Sequence, residues 1–241
     1  MVEAYLCRPP YPDEAFNILE ELLGDEPRVV LDAGCGTGSV ARWLAGRVER
    51  IDAIDFSEHM VETGRGLPGG DRPNIRWTVA AMEDAVLDPP YGMITAGQSL
   101  HWMAWDVVIP RFCEALTDSG LLVLIYPDFA ASPWGEDLQR IIARYSTNQD
   151  YAPYDPVEEL EERGLFEKQG ERRTGFVPLV QSLDRYIESF HSSNGFSRER
   201  MGSDAAAAFD QEVRDLILAR LPGGQLETAY AATLVWGRPI A

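Results

Sequence analysis

The stretch "LDAGCGTGSVARWLA", residues 31–45, sets three glycines, Gly34, Gly36 and Gly38, within five positions. Before it runs "RVVLDA" (28–33), apolar and β-prone; after it comes "VARWLA", apolar at helical spacing. Glycine is costly in backbone entropy, so a cluster between a strand and a helix implies a loop approached too closely for a β-carbon. Strand, glycine loop and helix is the arrangement of dinucleotide sites. The spacing departs from two common fingerprints. A nicotinamide loop wants G-x-G-x-x-G, and Ser39 stands where the third glycine would be; a P-loop wants G-K-[S/T], and this loop holds no lysine. Asp55, ending the next strand, suits the two hydroxyls of a ribose, and Asp32, just before the loop, suits an ammonium group.

Outward from the loop, the chain alternates. "DEAFNILEELL" (13–23) reads as an amphipathic helix opened by Asp13, and "RIDAIDF" (50–56) as a second strand. "SEHMVETGRGL" is a helix capped by Ser57; "NIRWTVAA" (74–81) and "GMITAG" (92–97) are the third and fourth strands. "WDVVIPRFCEAL" is a helix, and "LLVLIY" (121–126) the fifth strand. Strands alternating with helices predict a parallel sheet with right-handed crossovers. From Asp128 to Gly164 only turns and helices follow. "EKQGERRTGFVPL" (167–179) then reads as one extended strand, "SLDRYIESFHS" as a helix capped by Ser182, "SDAAAAFDQEVRDLILARL" as a long helix, and "QLETAYAATLVWGRP" (225–239) as a closing strand.

Composition narrows the class. With 241 residues, 45% hydrophobic, the chain can bury one sizeable core. A net charge of −18 repels phosphate backbones, so DNA, bulk RNA and anionic membranes are poor partners. Cys7, Cys35 and Cys113 form no CxxC and no even framework, as expected of reduced thiols. The beginning "MVEAYLCRPPYPDEAF" lacks the pattern of a signal peptide, and no apolar run reaches the length of a membrane span, so a cytoplasmic protein is expected. No His/Asp/Glu cluster has metal-ligand spacing, and no metal is expected.

The glycine loop resembles the first motif of the class I S-adenosylmethionine-dependent methyltransferases, and the likeness continues in order. "IDAIDFSEHM" is similar to the second motif, "AMED" (81–84) to the adenine-contacting turn, and "LTDSGLLVLI" to the glycine turn into the fifth strand. "RPPYP" and "QSLHW" resemble the branch that methylates small molecules. The resemblance implies a Rossmann-like α/β fold: a seven-stranded sheet, mostly parallel with an antiparallel last strand, helices on both faces and a helical cap. It implies one domain over 1–241, with a cofactor core at 27–127, a substrate-covering region at 128–201 and a closing helix and strand at 202–241.

The cofactor implied is S-adenosyl-L-methionine, its methionine and ribose part lying on Gly34, Gly36 and Gly38, with Asp32 and Gln98 nearby. Asp55 takes the ribose, Phe56 and Met60 flank the adenine, Met82 and Glu83 meet its edge, and Arg8 closes over the site. Ala81 stands where the family often has an acidic residue, which leaves the adenine amino group to Glu83 or to backbone carbonyls. The reaction implied is methyl transfer to an oxygen or nitrogen of a small molecule, by a monomer or homodimer. A protein or tRNA methyltransferase, or a sensor or cyclase that binds the cofactor without transferring methyl, remain open on the same motifs.

Two histidines are candidate general bases. His101 in "QSLHW" follows the fourth strand, at the edge where open α/β sheets bind ligands. His191 lies in "YIESFHSSNGF", within the region expected to cover that edge. Either also reads as an ordinary hydrogen-bonded histidine. Trp102 and Trp105 beside His101 suit a flat or cationic acceptor, or core packing. Trp134, Tyr145, Tyr151, Tyr154, Tyr186 and Phe190 make the covering region rich in aromatics, for an acceptor pocket or for burial against the sheet. "DPPY" (88–91) has the composition of an amino-methylating signature but precedes the fourth strand, and reads as a turn.

Overall fold

Strand and helix alternate as the periodicity predicts in the computed structural model, which describes residues 2–24, 27–149 and 154–241. Two helices, α1 (Val2–Tyr5) and α2 (Asp13–Leu23), precede β1 (Val29–Ala33). Then come α3 (Ala41–Leu44), β2 (Arg50–Asp55), α4 (Glu58–Gly66), β3 (Ile75–Val79) and β4 (Tyr91–Gly97). After a 3-10 turn at Leu100–Trp102 follow α5 (Trp105–Ala115) and β5 (Leu116–Phe129). The remainder holds α6 (Gly135–Tyr145), α7 (Pro156–Glu162), β6 (Phe166–Arg173), β7 (Val177–Ser182) and α8 (Leu183–Phe190). It ends with α9 (Arg198–Met201), α10 (Ser203–Leu218) and β8 (Gln225–Pro239). No helix among the described residues is long and apolar enough to cross a membrane.

The chain divides into two compact units. The larger comprises Tyr11–Asp128, Tyr154–Gly175 and Ala231–Ala241. Its strands lie in the order β3-β2-β1-β4-β5-β8-β6. β1, β2, β3, β4 and β5 pair in parallel, and β6 runs antiparallel to β8. Side-chain alternation assigns the two faces. Leu31, Ala33, Ile94, Ala96, Leu122 and Leu124 face α5, which buries Trp105, Val108, Ile109 and Phe112 on them. Val30, Met93, Val123 and Ile125 face the other way, onto α2 and α3 through Phe16, Leu19, Ala41 and Leu44. A strand buried on both faces thus has an apolar partner on each side, which is why "VVLDA" and "GMITAG" show no regular polar alternation.

The smaller unit comprises Met1–Pro10, Phe129–Pro153 and Phe176–Tyr230. Its core gathers Trp134, Leu138 and Ile141 of α6, Leu183 and Ile187 of α8, and Phe209, Val213 and Ile217 of α10. Ser182 caps α8, its hydroxyl accepting from the Arg185 N–H at 3.2 Å. β7 pairs antiparallel with the first part of β8, from Ser182↔Gln225 to Val177↔Tyr230.

The structure has eight strands where seven are expected, because "EKQGERRTGFVPL" is broken in two. The break falls at Thr174, which donates its N–H to the Ala232 carbonyl at 2.9 Å. Its hydroxyl, not a carbonyl, accepts from the Ala232 N–H at 3.0 Å. A side chain has replaced the main chain in the ladder, so regular pairing stops there.

Candidate active site

The glycine loop is held from below by two carboxylates. Gly34, Gly36 and Gly38 have φ of +67°, +55° and +76°, the left-handed region that side-chain-bearing residues rarely adopt. At Gly34 a β-carbon would also lie 2.5 Å from the Ser99 β-carbon, and at Gly38 2.5 Å from the Trp77 ring. These two glycines are therefore required by the chain's own packing as well as by anything bound. Asp55, 8% exposed at the end of β2, accepts from the Gly36 N–H through Oδ2 and from the Ser57 N–H through Oδ1, both at 2.8 Å. Each oxygen keeps a second lone pair for a hydroxyl donor.

Asp32 does not face an ammonium site. It is 1% exposed, and both of its oxygens are engaged inside the fold. Oδ1 accepts from the Thr95 hydroxyl on β4 at 2.9 Å, and Oδ2 from the Ala41 N–H at the start of α3 at 3.1 Å. Burial outweighs these bonds and pushes its carboxyl up to about 7. Its role is to lock β1 to β4 and to the helix that follows the loop.

Around the loop the carboxyl ends of β2, β3 and β4 supply the remaining groups. Phe56 projects its ring into solvent, 73% exposed, and Met60 is half-buried in the first turn of α4, whose N–H groups Ser57 caps. An aromatic ring so exposed, beside a buried carboxylate and a positive-φ glycine loop, fits the flank of an adenine. Met82 contributes no free side chain: it is 4% exposed and belongs to the core under α5. Glu83 accepts from the Ala104 N–H at 2.7 Å through Oε1. Gln98, just past β4, has a φ of +53°, uncommon for a residue with a β-carbon, and its N–H donates to Ile125 O at 3.1 Å. His101 is exposed on the 3-10 turn, its ring 5.1 Å from that of Trp102, which is itself 60% exposed. Trp105, by contrast, is a core residue, 7% exposed, with its indole N–H on Leu100 O.

The other two predicted residues stand in the smaller unit. Arg8 donates to the Ser192 hydroxyl at 2.7 Å and to its carbonyl at 3.2 Å, and its guanidinium lies over the Tyr5 ring. His191 is a correction. It is 1% exposed, with Nδ1 on the Phe196 carbonyl and Nε2 on the Asp210 carboxylate, both at 2.7 Å. An imidazole with both nitrogens engaged in its own unit has none to offer a substrate. Of the covering aromatics, Trp134, Tyr145, Tyr186 and Phe190 pack in or against that unit's core. Tyr154 lies in the larger unit and is exposed, and Tyr151 falls outside the described residues. "DPPY" is irregular over 88–90 and enters β4 at Tyr91, the end of that strand opposite the glycine loop, where the Asp88 carboxylate pairs with Arg50 and Arg76.

Residues 30–120, the span holding this site, match the family model described as a methyltransferase domain. Over that span the chain is similar to methyltransferase domains. The chain is 28% identical, over 70% of its length and 62% of the relative, to a carboxy-S-adenosyl-L-methionine synthase of Chromohalobacter salexigens. It is 28% identical to a trans-aconitate 2-methyltransferase of Streptomyces avermitilis, over 52% of this chain and 47% of that one. An uncharacterized methyltransferase-like protein of Schizosaccharomyces pombe is also 28% identical, over 58% and 54%. The chain thus spans a little over half the length of the curated relatives it matches first. Among solved structures, a protein of Anaeromyxobacter dehalogenans, provisionally described as a type II methyltransferase, superposes with a TM-score of 0.67 at 21% identity. That likeness covers 96% of this chain and 97% of the other. The YcgJ protein of Bacillus subtilis gives 0.58 at 14%, over 95% and 100%. At these identities the two show the fold.

The residues present at the glycine loop fit S-adenosylmethionine. The loop bends through three left-handed glycines, Asp55 keeps lone pairs toward the strand ends, and Phe56 leaves an aromatic face open. Residues that sequence reading missed complete the frame: Thr95 and Ser99 behind the loop, and Arg111 on α5. Thr95 and Arg111 belong to no motif, and within "QSLHW" no local pattern singles out Ser99.

Proposed function

We propose that this chain transfers the methyl group of S-adenosylmethionine to an oxygen or nitrogen of a small molecule. The observation that carries this is a convergence within one unit. The left-handed glycine loop, Asp55, exposed Phe56 and exposed His101 all sit at the carboxyl ends of three neighbouring parallel strands, β2, β1 and β4. Relatives named for trans-aconitate and for malonyl-acyl carrier protein support an acceptor bearing carboxylate oxygens. When bound, the cofactor supplies an electrophilic methyl carbon on sulfur. The chain's part is to hold: Asp55 accepts from ribose hydroxyls, Phe56 and Met60 border the adenine, and the loop leaves backbone bare for the amino-acid portion. For an acceptor already ionised, placement is the main requirement, and a base contributes little. His101 takes a proton only from an acceptor that arrives protonated; Trp102 beside it offers a flat apolar face.

The test is incubation of the protein with S-adenosylmethionine and a panel of small carboxylates, phenols and amines, read by mass spectrometry. Appearance of S-adenosylhomocysteine together with an acceptor 14 mass units heavier, about the mass of one methylene, supports the proposal. The likeness to a synthase of carboxy-S-adenosylmethionine favours one second reading, a chain that modifies its bound nucleoside. That reading predicts a changed nucleoside and no methylated acceptor.

A further inference from the structure

Arg111 spends its guanidinium on the carbonyls of a turn that has few bonds of its own. Its Nη1 donates to the Met82 carbonyl at 3.0 Å and to that of Glu83, and its Nη2 to that of Ala85. Residues 80–90, between β3 and β4, contain only turn and irregular structure. The turn's own bonds are two, from the Asp84 and Ala85 N–H groups to Ala81 O. Arginine has five N–H donors in a rigid fork, so one side chain can fix three carbonyls together where lysine cannot.

The same turn reaches back to the helix that carries Arg111. Glu83 Oε1 accepts from the Ala104 N–H at 2.7 Å, at the foot of α5, where unsatisfied donors favour a carboxylate. Ala104 ends the segment 99–104 that includes His101. At its other end the Ser99 hydroxyl donates to Ala33 O at 2.5 Å, and the Ser99 side chain fills the space beside Gly34. The segment is therefore anchored at one end to the glycine loop and at the other to the adenine turn.

We propose that Arg111 is a positioning residue: by shaping the Met82–Ala85 turn it makes Glu83 fasten the segment bearing His101, so that seating the cofactor's base also sets the acceptor side. This rests on the reading that S-adenosylmethionine occupies the glycine loop and the turn.

Hydrogen exchange of the whole chain, with and without saturating S-adenosylhomocysteine, tests it on wild type, Arg111→Met, Arg111→Lys and Glu83→Ala. In wild type, ligand should protect the amides of both 34–38 and 98–106. In Arg111→Met and Glu83→Ala, ligand at saturation should still protect 34–38 but leave 98–106 exchanging as in the free protein. Affinity should fall about tenfold, the scale of one hydrogen bond to a charged group. Arg111→Lys should restore part of the protection. Equal protection of 98–106 in wild type and both variants would overturn the proposal. Should Arg111→Met fail to fold, Glu83→Ala alone decides it. A wild type that does not bind S-adenosylhomocysteine would overturn the cofactor reading, and this inference with it.

Discussion

Two acidic and basic residues that the sequence offers as ligands are, in the structure, parts of the frame. Asp32 is the clearer case, since a carboxyl raised to about 7 by burial leaves a signature in stability. Unfolded, it ionises near the ordinary carboxylate value of about 3.9; folded, it holds its proton up to about 7. Between those values the folded state binds more protons, so stability is full below pH 4 and declines as pH rises toward 7. The decline amounts to about 1.4 kcal/mol per pH unit for this one group. Asp32→Asn copies the protonated form, its amide donating to Thr95, whose hydroxyl turns to Leu31 O at 3.5 Å. Urea unfolding from pH 4 to 8 should show the gap between variant and wild type widening in the variant's favour as pH rises. A constant gap would mean that Asp32 is ionised in the folded protein throughout. For His191, replacement by Ala should cost about 2–3 kcal/mol, because it leaves the Asp210 carboxylate and the Phe196 carbonyl short of a donor. Affinity for S-adenosylhomocysteine should be unchanged in calorimetry. Retained stability with lost methyl transfer would restore it as a site residue.

Elements were legible where a period or a cap marked them. β1, β2 and β4 were visible as short apolar runs between turn signals, and Ser57 and Ser182 cap the helices that they announce. The division of 167–179 into β6 and β7 was not visible, because a threonine in an extended run usually continues the ladder. Here its hydroxyl substitutes for a carbonyl, a choice made by three-dimensional register. Thr174→Val keeps shape and β-propensity but removes the acceptor for the buried Ala232 N–H, and should destabilise by about 1–3 kcal/mol. Chemical denaturation measures this. A variant as stable as wild type would show that another acceptor serves that amide. The segment around α5 was legible as a helix, but its contribution to the adenine turn was not. Arg111 lies 26 to 29 residues from the carbonyls it holds, and nothing local distinguishes it from a surface arginine.

At the scale of the molecule, the cofactor half was readable because its chemistry is local. A glycine loop, a carboxylate at the next strand end and an aromatic beside it all lie within residues 31–60, and backbone conformation follows from residue type. The acceptor half was not. Aromatics at helical spacing serve a pocket and a core equally well, and in the smaller unit Trp134, Tyr145, Tyr186 and Phe190 went to the core. The same ambiguity held for histidine: His101 is exposed at a strand end, His191 buried in a hydrogen-bonded network, and both are flanked by aromatics in sequence. The account therefore stands on what the glycine loop binds. The most direct measurement is thermal unfolding of the whole chain with S-adenosylhomocysteine or NADH, each titrated to a hundredfold over its apparent dissociation constant or to its solubility limit. Stabilisation by S-adenosylhomocysteine of about 2.7 kcal/mol at that excess, with no effect of NADH, is the predicted result. A melting temperature unmoved by S-adenosylhomocysteine and raised by NADH would contradict it.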